Sequence, residues 1–252
     1  MITIVKPGYT ILTPLDGIVE HIERCGRVCY KSEDRITEGS AEKFVRNICR
    51  RRHESVLEHA TITAVIVCSR ACSHQLVRHR IAAYSQESQR YCNYGKKNRL
   101  KVICPPSIGL APGEYNAILE DDFDMEDDFD MESGYGKSEW GVKKGIKWFD
   151  RHPEQSYRAF ERQKDWIIQM VCAYNEYIAE LAEGLSPGDA RYVLPNATKT
   201  ELAVTFNLRM WRHFLQVRCD RHAQWEIRGI AKGILRKFQE QIPSIFEDLE
   251  IE

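Results

Sequence analysis

The chain has 252 residues, 43% of them hydrophobic, and its 36 basic side chains against 37 acidic ones give a formal net charge of −1. So apolar a composition supports a sizeable core and excludes an intrinsically disordered chain. The charge balance excludes a protein whose main work is coating nucleic acid, which needs a domain-wide basic excess, so any positive site has to be local.

Taken in chain order, Ile2 and Ile4 and then Thr10 to Leu12 predict short strands. From Asp16 to Tyr30, Ile18, Val19, Ile22, Cys25, Val28 and Cys29 recur at helical spacing. Ser40 reads as the N-cap of a second helix with Phe44, Val45 and Ile48 inward. The β-branched run TITAVIVC, 61–68, predicts a buried strand, after which Ser69 caps a helix leading into RHRIAAYSQESQRY, 78–91. Residues 121–132 repeat DDFDME in tandem, without the glycine turn of a calcium loop, and the stretch at 121–152 is expected to be an exposed surface insertion. A long helix is predicted from Pro153 to Glu183, with Phe160, Ile167, Val171, Tyr174, Ile178 and Leu181 as its core stripe. Gly184 ends it, and SPGD, 186–189, starts another. TELAVTFNLR, 200–209, alternates as a strand, and two helices complete the chain. Strands separated by helices without a βαβ rhythm give an α/β (mixed α+β) class: a single domain, 1–252, with a mixed or antiparallel sheet flanked by helices.

Two constellations could carry chemistry. Gln75, Arg78 and His79 share a face if the helix continues through them, and Arg80, Ser88 and Arg90 add guanidinium and hydroxyl groups nearby. Arginine's planar fork suits phosphate oxygens better than a lysine does. Farther along, Trp211, Phe214, Leu215 and Arg218 form a helical stripe that is apolar except for Arg218. A guanidinium on an inward face needs an anionic partner. That partner is either a bound ligand or a structural carboxylate such as Asp220 or Glu226. Arg191 and Arg209 also lie near apolar segments. A site fed by this many arginines fits one or two phosphorylated ligands.

Other chemistries find less support. Nine cysteines, at 25, 29, 49, 68, 72, 92, 104, 172 and 219, form no Cys-x-x-Cys pair. HESVLEH, 53–59, lacks the spacing of a His-Glu-x-x-His zinc site, and no metal is expected. An alternative reading, a nucleic-acid-binding protein, would use Arg78 to Arg90 and KKNR, 96–99, and predicts steep salt dependence. Scattered reduced thiols, an opening MITIVKPGYT without a signal-peptide pattern, and no apolar run of the ~18 residues a membrane span needs make the cytoplasm the expected location.

The motifs together resemble the flavin-dependent thymidylate synthases. That family's signature is Arg-His-Arg, seven residues, then Ser, matched here by Arg78-His79-Arg80 and Ser88. HESVLEH is similar to the family's His-Glu-Thr-Pro-Phe-Glu-His, ARYVLP (190–195) to its Ala-Arg-x-Val-Leu-Pro, and FNLRMWRHFLQVRCDRHAQWEIR (206–228) to its C-terminal block. The resemblance implies the thymidylate synthase-complementing protein fold and reductive methylation of dUMP to dTMP. 5,10-Methylenetetrahydrofolate would be the carbon donor, and FAD reduced by NADPH the hydride source. The unrelated thymidylate synthase uses a cysteine in a Pro-Cys-His triplet; none occurs here, which suits a route without an enzyme nucleophile.

Carried over residue by residue, the resemblance assigns FAD to Ser55, Arg78, His79, Arg80, Gln86, Asn207, Leu208, Arg209 and His213. It assigns dUMP to Gln75, Leu76, Val77, Arg78, Gln86, Glu87, Ser88, Gln89, Arg90, Arg191 and Arg218. Arg218, against the uracil ring, is the catalytic residue, and His53 and His222 sit near the flavin. Gln86 stands where many members have Glu, Ser55 where they have Thr, and His213 where some have Asn. Family members are homotetramers with active sites shared between subunits, which is the expectation here.

Overall fold

The computed structural model describes residues 1–96, 100–117 and 157–250. The DDFDME repeat, the rest of the expected insertion at 121–152, and most of KKNR lie outside the described residues. The chain groups into two compact units, one of residues 7–87 with 199–252 and one of residues 1–6 with 88–198. Helices and two sheets make the mixed α/β fold that the sequence predicts.

The first unit is built on a four-stranded antiparallel sheet. β2 (Gly8–Ile11), β3 (Thr61–Ser69), β7 (Lys199–Asn207) and β4 (Ala83–Gln86) lie in the order β2-β3-β7-β4. β3 and β7 pair along their full length, from Thr61 opposite Asn207 to Ser69 opposite Lys199. Alternation places Ile62, Ala64, Ile66, Leu202, Val204 and Phe206 in the core. β7 does not run on to Arg209 as predicted. The Asn207 side chain accepts the Met210 N–H at 2.8 Å and starts α6 (Leu208–Cys219), so Leu208 stays buried as the first helical residue.

Trp211 of α6 is fully buried and its indole donates to the Ile62 carbonyl at 3.0 Å, which fixes the helix on the sheet. Trp211→Ala is expected to cost about 3–5 kcal/mol, read as a shift in denaturant midpoint. Ile227, Ile230, Ile234 and Phe238 of α7 (Trp225–Gln241) complete the same core, with Ile245 and Phe246 of α8 (Pro243–Phe246).

α1 (Ile18–Val28) and α2 (Ser40–Arg50) bury Ile18 and Ile22, and Val45 and Ile48, against this core. Ser40 is not the N-cap of α2; Gly39 holds that place with a φ of 75°. The Ser40 hydroxyl instead accepts the Thr37 N–H at 3.0 Å and donates to the buried Glu23 carboxylate, which Arg27 also pairs at 2.7 Å. The Thr37 N–H thus takes the hydroxyl oxygen that a cap would offer to the helix end, and Glu23 takes the proton.

The second unit holds a three-stranded sheet with β1 (Ile2–Ile4) at its centre, parallel to β5 (Lys101–Val102) and antiparallel to β6 (Gly113–Tyr115). α4 (Tyr157–Ala182) packs Ile167 and Val171 into that core; the predicted start at Pro153 lies outside the described residues. Gly184 ends the helix in a left-handed conformation, φ 97°, with the Leu185 N–H returning to the Glu180 carbonyl at 3.0 Å. α5 (Pro187–Ala190) follows. Among the described residues no helix is long and apolar enough to cross a membrane. All nine cysteines are free thiols.

Among the described residues two non-glycine residues, Lys31 at φ 47° and Arg52 at φ 57°, occupy left-handed backbone. That conformation costs an L-residue about 1–2 kcal/mol, against the ~0.4–1 kcal/mol of unfolded-state entropy that a glycine adds. Arg52→Gly is therefore expected to raise stability by roughly 0.5 kcal/mol in a denaturant titration.

Candidate active site

In the first unit the site grows from the junction of β3 with α3 (Arg70–Leu76). Ser69 caps α3 as predicted, its hydroxyl oxygen accepting the Cys72 N–H at 3.0 Å. From the first turn of α7, the buried Glu226 carboxylate accepts both the Ser69 N–H and its hydroxyl, each at 2.6 Å. Burial pushes the Glu226 carboxyl up, and the two Ser69 bonds oppose that shift. Glu226→Ala leaves those donors unpaired and is expected to cost about 1–3 kcal/mol, measured by thermal unfolding.

The helix ends at Leu76, short of Arg78 and His79, so these residues do not share a helical face with Gln75 as predicted. They lie instead on a turn that Tyr84 holds, its hydroxyl sharing one proton between the carbonyls of Leu76 and His79, each 2.8 Å away. Tyr84 belongs to β4, an edge strand lying where the sequence suggested only a polar loop. One face of that strand is solvent-exposed, which is why its residues read as loop.

His79 is 7% exposed, and its ring packs edge-on against Phe214 with centroids 5.0 Å apart. His213 lies 6.0 Å away, centroid to centroid. Arg218 Nε donates to His79 Nε2 at 3.0 Å, and Arg218 Nη2 reaches the Gln75 carbonyl at 3.4 Å. With Nε2 the acceptor, the imidazole proton belongs on Nδ1. Burial first, then the charges of Arg218 and His213, lower the His79 pKa to about 4. The neutral ring is thus favoured in the fold above the ordinary histidine pKa, and that stability is lost as pH falls from about 6.5 toward the folded value. A proton-detected titration is expected to show His79 neutral down to about pH 5.

Arg218 is half-buried and has no carboxylate partner among the described residues. Neither structural partner considered from the sequence takes it. Glu226 serves Ser69, and Asp220 accepts the His222 backbone N–H at 2.7 Å and pairs with its exposed ring. α6 stops at Cys219, which leaves His222 in the following turn.

The other candidate residues divide. Arg78 and Arg80 are exposed on either side of His79, and neither forms an ion pair among the described residues. Leu76 is buried, Val77 exposed. Gln86 donates to the hydroxyls of Ser73 and Thr200, both at 3.2 Å, and Glu87 pairs with Lys199 at 3.1 Å. Leu208 is in the core, so any ligand contact there falls to its backbone. Arg209 pairs with Glu58 at 2.6 Å, while His53, Ser55 and His213 are exposed. In the second unit, Arg191 Nε donates to the Gly188 carbonyl at 3.0 Å, and Arg90 Cγ lies 3.7 Å from where a Gly188 Cβ would stand. Arg90 and Arg191 therefore both lie near Gly188, each beside an exposed tyrosine, Tyr91 and Tyr192. The Ser88 hydroxyl accepts the Arg90 N–H at 3.3 Å, and Gln89 is buried.

The model of the family described as thymidylate synthase complementing protein matches residues 11–244. A protein of Mycolicibacterium vanbaalenii named flavin-dependent thymidylate synthase is 34% identical over 242 residues, 95% of this chain and 82% of its own. The chain belongs to this family. A flavin-dependent thymidylate synthase of Pyrococcus furiosus is also 34% identical, over 94% of this chain and 79% of its own. In fold, this flavin-dependent thymidylate synthase family member is similar to ThyX of Helicobacter pylori, solved with FAD and dUMP. That match has a TM-score of 0.62 and 19% identity, covering 96% of this chain and 98% of the other. The UMP/dUMP methylase PolB of Streptomyces cacaoi, bound with 5-Br dUMP, gives a TM-score of 0.68 at 22% identity, covering 97% and 95%. The chain is therefore an enzyme of the flavin-dependent thymidylate synthase family.

Sequence reasoning missed Arg212 in this family member. It is 3% exposed and pairs with Glu54 at 3.0 Å and Asp248 at 2.7 Å, and it also donates to the Ile245 carbonyl. The signal was present: Leu208, Trp211, Arg212 and Leu215 recur at helical spacing, as the Arg218 stripe does. Among the described residues, one group of ligand-type side chains converges, Cys68, Cys72 and Glu226, with their ligand atoms within 4.8 Å of one another. Glu226 is already committed to Ser69, and the Cys72 thiol is held protonated by its hydrogen bond with Cys68 and by burial.

Proposed function

We propose that this enzyme carries out the reductive methylation of dUMP to dTMP. 5,10-Methylenetetrahydrofolate is the carbon donor, FAD reduced by NADPH is the hydride source, and no cysteine acts as nucleophile. The observation that supports this reading best is the pairing of Arg218 with neutral acceptors, the His79 ring and the Gln75 carbonyl. A guanidinium paired with a carboxylate spends its charge internally. One held by an imidazole and a carbonyl keeps it for a ligand.

The residues suit FAD in donor chemistry. Arg78 and Arg80, exposed and without an ion pair among the described residues, fit a pyrophosphate, and the rings of His79 and His213 fit the edge of a flat heterocycle. Bound FAD would supply the hydride. Arg218 would favour ionisation at N3 of the uracil ring and stabilise negative charge as C5 becomes nucleophilic. His79, neutral at pH 7, fixes the guanidinium direction without adding a second charge. Ser88, Arg90 and Arg191 would take the dUMP phosphate, with Gln86, Glu87 and Gln89 around the nucleotide. The whole chain acts as one domain in the cytoplasm, as a homotetramer whose subunits share active sites.

The test is spectroscopic first. Protein reconstituted with FAD is expected to show a flavin absorbance that dUMP perturbs, and to form dTMP when methylenetetrahydrofolate and NADPH are added. Failure to bind FAD would remove the reading.

A further inference from the structure

A cleft of about 1220 Å³ opens between α2, the 54–59 turn segment, α6 and the residues after α7. Five cationic side chains line it, Lys43, Arg46, Arg50, Arg52 and Arg212, against three carboxylates, Glu54, Glu247 and Asp248. The carboxylates are engaged: Glu54 and Asp248 hold Arg212, and Glu247 holds Arg46. Lys43, Arg50 and Arg52 form no ion pair among the described residues. Lys43, Asn47 and Arg50 lie on one face of α2, and Asn47 accepts from Arg50 at 2.7 Å.

The negative pole of the α2 C-terminus accounts for a cation at Arg50. It does not account for Lys43 two turns earlier, nor for Arg52. At φ 57° Arg52 bears a steric penalty that glycine would avoid, yet an arginine lines the cleft there. Retained strain at the rim of a charged cleft points to a ligand. The lining contains none of the residues assigned to FAD or dUMP, and the cleft is larger than a single phosphate requires.

We propose that this cleft is a second anion site, taking an oligophosphate chain across Lys43, Arg50 and Arg52. Arginine forks and an ammonium group suit successive phosphate oxygens, and the neutralised pairs around Arg212 and Arg46 leave the added charge to the ligand.

Calorimetric titration of the full chain with inorganic tripolyphosphate and with ATP tests the site. Both probes are expected to bind, with affinity falling as salt rises. Equal affinities would assign recognition to the phosphates alone; tighter ATP binding would add the nucleoside, and either result supports the site. Arg50→Ala combined with Arg52→Gly, both at exposed positions, is expected to weaken binding at least tenfold. Arg78→Ala combined with Arg218→Ala is expected to leave it unchanged. No binding by the wild-type chain, or binding lost in the second pair and kept in the first, would overturn the proposal. Because neither titration needs flavin, its failure is separable from failure of the methylation reading.

Discussion

Arg218→Ala is expected to lower turnover by about 10²–10³-fold while leaving flavin affinity nearly unchanged. Among the described residues the guanidinium touches His79 and the Gln75 carbonyl and no carboxylate, so its removal strands no buried anion there and the fold is expected to survive. On the proposed reading, what is lost is a fixed positive charge where the uracil ring would become anionic, a contribution made mainly in the transition state. Steady-state kcat and a flavin-fluorescence titration, measured on the same preparation, separate the two effects. The pH profile adds a second readout: without Arg218 the ring N3 ionises less readily, and the activity optimum is expected to move to higher pH. A variant that lost flavin binding in proportion to turnover would make Arg218 a structural residue.

Arg212→Ala is expected to cost about 3 kcal/mol of stability, the largest effect among the charged residues. The figure is at the low end for a broken buried pair because the Glu54 and Asp248 side chains, 23% and 48% exposed, keep access to water. Arg212→Lys is expected to recover only part of it. A lysine cannot reach Glu54, Asp248 and the Ile245 carbonyl with one planar fork. Burial opposes the Arg212 charge, but hydrogen bonding to Asp248 and the surrounding carboxylates keep it firmly protonated. In turn that hydrogen bond outweighs burial, which pushes the other way, and holds the Asp248 carboxyl below its usual range. A depressed folded pKa contributes stability above the ordinary carboxylate value of about 3.9, lost as pH falls through the folded value. Wild-type protein should therefore lose more stability on acidification than Arg212→Ala does, in urea titrations across that range. A shift at neutral pH under about 0.5 kcal/mol would place Arg212 with ordinary surface pairs.

Much of the fold was legible because its signals are local. Alternation in β7, the β-branched run of β3, the Ser69 cap and the Gly184 stop each depend on a few consecutive residues, and each stands in the structure. The misreadings come from competition between local and distant partners. Ser40 has the chemistry of an N-cap, yet the Thr37 N–H takes its hydroxyl oxygen while Glu23, seventeen residues away, takes its proton. α3 stops before Arg78 because Tyr84, on a strand too polar to recognise, bonds the carbonyls at its end.

The motifs by themselves determined the family, and with it the chemistry to look for. Helical spacing also determined that one face of α6 would carry arginine among apolar residues. Only the tertiary structure decided what each arginine does. Arg212 and Arg218 lie six residues apart on the same helix with the same kind of apolar company, so periodicity treats them alike. Partners brought from distant segments separate them: Glu54 and Asp248 neutralise Arg212, while His79 and Gln75 leave the charge of Arg218 available. Spacing fixes the direction in which a side chain leaves its helix. The long-range fold fixes what it meets there, and an arginine's function follows from that partner.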